Sequence, residues 1–363
     1  MPKWGLTMKE GSVGDWLIEE GETVDSSMEV VEVETDKITS AVEVSDSGIL
    51  RRTVAVSGET LPVGALLGVI TEEEVSDEEL DDFIQKFQDN FVPEEDNEED
   101  SGPKIETVQV GELTINFLRQ GEAEKVAFLL HGFGGDLNNW LFNHQALISN
   151  RTVIALDLPG HGGSSKDVGN GSIAFMAETI MQLMKELDIM EADWVGHSMG
   201  GAISLQLAKS HPEMVRSLTL IGSAGLGEEI NGDYLRGFAQ SQSRRELKPF
   251  VQQLFKDSSL VTRQLVDDLL KFKRIDGVQA CLEKIIDCFL DGANQVLDLR
   301  NVLEEQDIPC LVIWGREDRI LPADHTINLP KQVQVNIFED AGHMVQMESA
   351  SEVNRLMNEF WKY

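Results

Sequence analysis

The pentapeptide Gly196-His197-Ser198-Met199-Gly200 constrains this chain more than any other stretch of it. It follows the strand-like run Asp193–Val195 and opens a helical pattern over Met199–Ser210, which puts the serine on a tight strand-to-helix turn. Glycine on both sides leaves room for that turn and for a substrate approaching the hydroxyl. A serine hydroxyl is a weak nucleophile until a base takes its proton, and the base in turn needs an orienting acid. His343, in Ala341-Gly342-His343 after the last strand-like run, is the expected base. Asp318, in Trp314-Gly315-Arg316-Glu317-Asp318 beyond the preceding run, is the expected acid, with its neighbour Glu317 as second candidate. Along the chain the three candidates run serine, acid, histidine. His131-Gly132-Phe133-Gly134-Gly135 follows the first strong strand, so the backbone N–H groups of Phe133 and Met199 are the expected oxyanion hole.

From Lys104 onward, apolar strand-like runs alternate with amphipathic helices, the pattern of a mostly parallel sheet. The runs are Val126–Leu130, Thr152–Leu156, Asp193–Val195, Ser217–Ile221, Cys310–Trp314 and Val333–Phe338; the helices fit Ala174–Leu187, Met199–Ser210 and Ser351–Trp361. Leu226 to about Asn301 breaks the alternation and reads as a helical cap over the site. With these motifs in order, residues 105–363 resemble the α/β-hydrolase superfamily. Asp157-Leu158-Pro159-Gly160-His161-Gly162 matches a loop common in that family. Asp157, His161 and His197 are expected to be scaffold, Trp140 and Phe142 to fill core in preference to lining the pocket, and His325 to be a surface residue.

The first 71 residues read as short strands punctuated by glycine: Val13–Ile18, Val30–Glu34, Ser40–Val44, Ile49–Val54 and Ala65–Ile70. Gly11 and Gly21 recur 37 positions later as Gly48 and Gly58, and Gly21-Glu22-Thr23-Val24 returns as Gly58-Glu59-Thr60-Leu61. Two similar halves predict a small all-β barrel or sandwich with pseudo-twofold symmetry. Glu34-Thr35-Asp36-Lys37-Ile38 lies where the halves meet and places a lysine at a hairpin tip. Over residues 1–72 the chain resembles a lipoyl domain; Asp36 and Ile38 beside Lys37 match the lipoyl pattern, where biotin carriers have methionine. The resemblance implies lipoate in an amide bond to Lys37. Residues 73–104 form an acidic linker in which Leu80, Phe83, Ile84, Phe87 and Phe91 make the stripe of a short helix that packs on its own protein. Pro93 through Pro103 is expected to be extended or disordered.

A lipoyl domain joined to a Ser-His-Asp domain resembles the E2 components of acetoin dehydrogenase complexes. That likeness implies a multidomain acetyltransferase, with coenzyme A as co-substrate, a thiamine-diphosphate E1 and a flavin-dependent E3 as partners, and a homo-oligomer. Two departures set the chain apart from ordinary 2-oxo-acid dehydrogenase E2 proteins. Their His-x-x-x-Asp-Gly motif is missing, since Asp276-Gly277 and Asp291-Gly292 have Phe272 and Asp287 in the histidine position. The basic, glycine-rich subunit-binding domain is missing too, so Ser198 would have to do the chemistry.

Sixty-four acidic against 30 basic residues give a net charge of -34, which makes nucleic acid and anionic membrane poor partners. Cys281, Cys288 and Cys310 are too few and scattered for a disulfide framework or a zinc site, and are expected to be buried thiols. No run has the make-up of a signal peptide or a membrane span, and the expected setting is the cytoplasm. Two alternatives stay open: a serine hydrolase that releases the acyl group to water, and a lipoyl carrier with an idle hydrolase-like domain.

Overall fold

The computed structural model describes residues 1–3, 8–26, 28–35, 39–44, 46–91 and 104–362. Contacts divide the chain into two units, Met1–Lys104 and Ile105–Tyr363.

The first unit is built from β1 (Glu10–Trp16), β2 (Thr23–Val24), β3 (Glu29–Glu34), β4 (Thr39–Glu43), β5 (Gly48–Thr53), β6 (Thr60–Pro62) and β7 (Gly68–Thr71). They form two antiparallel sheets, ordered β4-β3-β1-β6 and β2-β5-β7. The 37-residue repeat governs how these sheets interlock. Each half lends its second strand to the other half's sheet: Gly11 of β1 pairs with Leu61 of β6, and Gly48 of β5 pairs with Val24 of β2. The two glycines are there for space. A Cβ on Gly11 would lie 2.7 Å from Val33 Cγ1, and one on Gly48 would lie 2.7 Å from Ile70 Cγ2. Between the sheets, Val13, Val24, Val31, Val33 and Leu50 form the core. Glu34 pairs with Thr39, so Lys37 falls in the connection between β3 and β4; Asp36, Lys37 and Ile38 lie outside the described residues.

Helix α1 (Asp77–Asn90) starts at a capping box in which Ser76 and Glu79 satisfy each other's backbone N–H. Arg52 of β5 reaches Asp77 and Asp81 at 3.0 and 3.1 Å. Of the expected apolar stripe, Leu80 is buried and Phe91 packs on the barrel core, but Phe83 is 51% exposed. The stretch 93–103 lies outside the described residues.

The second unit is an eight-stranded sheet flanked by helices. Its strands are β8 (Ile105–Val110), β9 (Leu113–Gln120), β10 (Val126–Leu130), β11 (Thr152–Leu156), β12 (Ala192–His197) and β13 (Val215–Ile221). After a small hairpin, β14 (Leu290–Asp291) and β15 (Asn294–Gln295), come β16 (Cys310–Gly315) and β17 (Gln334–Phe338). The order is β17-β16-β13-β12-β10-β11-β9-β8, parallel from β17 through β11 and antiparallel at β9 and β8. Strands β10 to β13 and β16 are largely buried on both faces because helices cover both sides. Phe128 stacks on Trp194 at 4.7 Å within this core. From β10 the chain runs out to β11 and then returns to β12 on β10's other side, which opens a crevice at the strands' carboxyl ends.

The helices are α2 (His144–Leu147), α3 (Ile173–Glu186) and α4 (Met199–Ser210), then the cap helices α5 (Gly232–Gln240), α6 (Arg244–Val251), α7 (Arg263–Lys273) and α8 (Val278–Phe289). Short α9 (Val302–Glu305), α10 (Val345–Glu348) and the closing α11 (Ala350–Phe360) complete the unit. Three expectations need correction, and one hairpin is additional to them. The hairpin β8–β9 was not foreseen. Phe142 is 54% exposed rather than core, although Trp140 is fully buried. Cys288 is exposed, while Cys281 and Cys310 are buried. His325 is buried, packed edge-on against Trp314 at 6.0 Å with its Nε2 3.1 Å from Glu229 Oε2.

Candidate active site

Sheet register brings the two halves of the site together. Leu130 at the end of β10 is paired with Gly196 near the end of β12, so His131–Phe133 and His197–Met199 leave the sheet side by side. Ser198 makes the turn into α4 at φ 54, ψ −116, a conformation that costs a non-glycine residue energy and is held by its surroundings. The Ser198 amide donates to Ile221 O at 3.0 Å, and the Ser198 carbonyl accepts from Gly201 and Ala224. Gly200 is required by closeness: a Cβ there would lie 2.2 Å from Leu130 O.

The amides of Phe133 and Met199 have no acceptor among the described residues. Both line the cavity that also contains Ser198 and His343. Two buried histidines fix the loop that carries Phe133. His131 Nε2 accepts from Leu158 N at 3.0 Å, which leaves Nδ1–H to donate to Gly132 O at 2.7 Å. His161 Nε2 accepts from Gly134 N at 3.1 Å and Nδ1 faces Pro159 O at 3.0 Å. Burial pushes His131 down to about 4 and His161 down to about 3, so both stay neutral and keep these acceptor roles. Asp157 takes the amides of Leu137 and Gly163 and the side chain of Asn116, all within 2.8 Å, and this makes it part of the same scaffold.

Asp318 and His343 come from loops after β16 and β17. His343 Nδ1 lies 2.7 Å from Asp318 Oδ2, and both side chains are almost wholly buried. The other oxygen, Oδ1, accepts from Ile320 N and Leu321 N at 2.8 and 2.9 Å, and Trp314 Nε1 closes the loop by donating to Leu321 O. Glu317 points away to solvent while its amide donates to Ala341 O. Gly222 after β13 leaves space for the pair, since a Cβ there would be 3.2 Å from both Asp318 Oδ2 and His343 Nδ1. His197 stays with the scaffold: its Nε2 faces His343 O at 3.0 Å, and burial holds its pKa well below the usual histidine value.

The cap closes over these groups. Ile230, Tyr234, Phe238, Leu254, Phe255 and Ile286 are among the cap side chains facing Ser198 across the cavity. The cap also grips the histidine loop. Leu254 O accepts from His343 N and Met344 N, at 2.8 and 3.1 Å. Glu348 accepts from Gly342 N at 2.7 Å and, on the cap side, from Lys256 N at 2.8 Å. Partial burial raises the Glu348 carboxyl above its ordinary value, against the pull of those amides. Neither Glu348 nor Gly222 was singled out in the sequence. A glycine directly after a strand next to β16 was the one available sign for Gly222, and Glu348 carried none.

Residues 128–350 match the alpha/beta hydrolase fold family, and residues 1–70 match the biotin/lipoyl family described as biotin-requiring enzymes. A Pseudomonas putida protein, the dihydrolipoyllysine-residue acetyltransferase component of an acetoin cleaving system, is 50% identical over 99% of this chain and 97% of its own length. Its counterpart in Cupriavidus necator is 44% identical over 98% of this chain and 95% of its own. Among solved structures, the meta-cleavage product hydrolase of Pseudomonas fluorescens IP01 superposes with a TM-score of 0.65 at 24% identity, covering 71% of this chain and 97% of that one; at that identity the likeness concerns the fold.

Proposed function

This chain belongs to the family of dihydrolipoyllysine-residue acetyltransferase components of acetoin-cleaving systems, and from that premise we propose that Ser198 relays the acetyl group to coenzyme A. Lipoate is its covalent cofactor and coenzyme A its acyl acceptor. Lys37 is the attachment residue in this reading, because the pairing of Glu34 with Thr39 sets it in a short connection at a sheet end, a place suited to an amide-linked arm. When bound there, lipoate supplies a dithiol that presents the acyl group as a thioester.

His343 Nε2 takes the Ser198 proton as Oγ forms a bond to the thioester carbonyl carbon. The oxyanion that develops is held by the amides of Phe133 and Met199. As the C–S bond breaks, His343 gives the proton to the leaving sulfur. It then takes the proton of the coenzyme A thiol, whose sulfur attacks the acetyl carbon, and the proton returns to Ser198 Oγ as the ester bond breaks. Asp318 holds the imidazole tautomer through Nδ1–H and stabilises the imidazolium. The observation that carries this reading is that Ser198, held at φ 54, shares one cavity with His343 and with two uncommitted amides. The largely apolar cap lining, in which Tyr234 is the one polar side chain, favours a thiol acceptor over water, because an apolar cavity is poorly hydrated.

The E1 partner is a thiamine-diphosphate enzyme and the E3 partner a flavin-dependent dihydrolipoyl dehydrogenase, with the chain acting in the cytoplasm as a homo-oligomer. No helix among the described residues is long and apolar enough to cross a membrane. Incubating the protein with an acetyl donor and no thiol, then quenching in acid, tests the relay: peptide mass spectrometry should find acetyl on Ser198. Acetyl on another residue, with Ser198 unmodified, would remove the serine from the pathway.

A further inference from the structure

The cap contributes one polar side-chain group to the lining of the catalytic cavity, and that group makes no side-chain hydrogen bond among the described residues. Tyr234 lies on α5, with its backbone N–H engaged by the Asn231 N-cap at 2.9 Å and its ring 6.0 Å from that of Phe238. The residue is 3% exposed and lines the cavity with Ser198, Phe133 and His343. The other cap residues of that lining, such as Leu235, Phe238, Leu254 and Ile286, are hydrocarbon. The Tyr234 hydroxyl makes no hydrogen bond to any described residue. Burial holds the phenol far above its ordinary pKa, so it is a neutral O–H that can donate.

A phenylalanine would fill nearly the same space, so the hydroxyl adds a single donor to a cap lining that is otherwise hydrocarbon. That donor is placed to meet an acceptor that a ligand brings into the cavity. The reaction narrows that ligand's chemistry. Acyl donor and acyl acceptor are both thiols on flexible alkyl arms, and each arm carries an amide: the link of lipoate to lysine, and the pantetheine amides of coenzyme A. In a hydrocarbon cavity an amide carbonyl is the group on such an arm that needs a donor.

We propose that Tyr234 is a specificity residue whose hydroxyl donates to an amide carbonyl of the thiol-bearing arm, so that the cavity selects amide-bearing thiols and thioesters over plain alkyl ones. The proposal rests on the acyltransferase reading and adds to it a criterion of substrate choice. It follows that remote binding energy, from a group that does not react, is made available to the transfer step.

The test compares the full-length protein with Tyr234→Phe, following thioester formation or loss. On the acceptor side, coenzyme A and N-acetylcysteamine are set against propanethiol. On the donor side, S-acetyl-dihydrolipoamide is set against S-propyl thioacetate. The quantity read is the ratio of kcat/KM for the amide-bearing compound to that for its amide-free counterpart. The expected result is a fall of about tenfold in that ratio, the usual worth of one neutral hydrogen bond. A fall on the donor side assigns the contact to the lipoyl arm, and a fall on the acceptor side assigns it to pantetheine. A ratio equal to or above the wild-type value on both sides overturns the proposal. Transfer that survives in Ser198→Ala would instead contradict the serine relay, and the Tyr234 ratios are read the same way in either case.

Discussion

Asp318 Oδ2 lies 2.7 Å from His343 Nδ1, and the same carboxylate takes two backbone amides through Oδ1. A carboxylate fixed on three sides can hold one imidazole tautomer, which Glu317, turned to solvent one residue earlier, is not placed to do. Asp318→Asn should lower kcat for acetyl transfer by about 10²–10⁴-fold with little change in KM, since the wrong tautomer is then favoured. Glu317→Gln should stay within about twofold of wild type. Steady-state kinetics of the two variants, side by side, decides between the adjacent acids.

Glu348 joins the histidine loop to the cap through Gly342 N and Lys256 N. Removing its oxygens in Glu348→Ala leaves both amides without their charged acceptor and loosens the loop that places His343. We expect kcat to fall by about 10- to 100-fold. Glu348→Gln, which keeps one acceptor oxygen, should fall between that variant and wild type. A wild-type kcat in Glu348→Ala would show that the loop is held without it.

Histidines held neutral by burial make the larger unit acid-sensitive. His131 and His161 have folded pKa values of about 4 and about 3, below the ordinary 6.5, and His197 is also shifted down. The unfolded chain therefore takes up protons below pH 6.5 that the folded chain refuses. Stability is fully present above that pH and is lost as pH falls toward 4, at about 1.4 kcal/mol per pH unit for each net proton. Asp136, raised to about 6 by burial and by Asp157, opposes this below pH 6 but offsets only one of the three. The urea midpoint of this unit should drop between pH 7 and pH 5; a flat profile would contradict the burial argument.

Gly200 faces Leu130 O, with 2.2 Å to the position of an added Cβ. Leu130 cannot retreat, because β10 is paired on both sides. Gly200→Ala should destabilise the larger unit by at least about 3 kcal/mol. Calorimetry of the variant checks this, and a melting temperature within a degree or two of wild type would refute it.

Much of the second unit was readable because central strands such as Val126–Leu130 and Cys310–Gly315 are buried on both faces and so appear as apolar runs. The hairpin β8–β9 was not, since an edge strand such as Ile105–Val110 is exposed along most of its length and carries polar residues. In the first unit the 37-residue spacing was legible as a repeat, but the exchange of β2 and β6 between sheets was not. Those strands are only two and three residues long, too short for any period. The serine turn and its glycines follow from local sequence. The burial of His325 does not, as its partner Glu229 is 96 residues away. Glu348 escaped notice for the same reason: its amide partner on the cap is 92 residues upstream.

The most direct test of the account is acetyl-CoA formation by Ser198→Ala from S-acetyl-dihydrolipoamide and coenzyme A. The serine relay predicts a fall of at least about 10³-fold, with only uncatalysed exchange or residual binding effects remaining. Acetyl-CoA formed at the wild-type rate would contradict it.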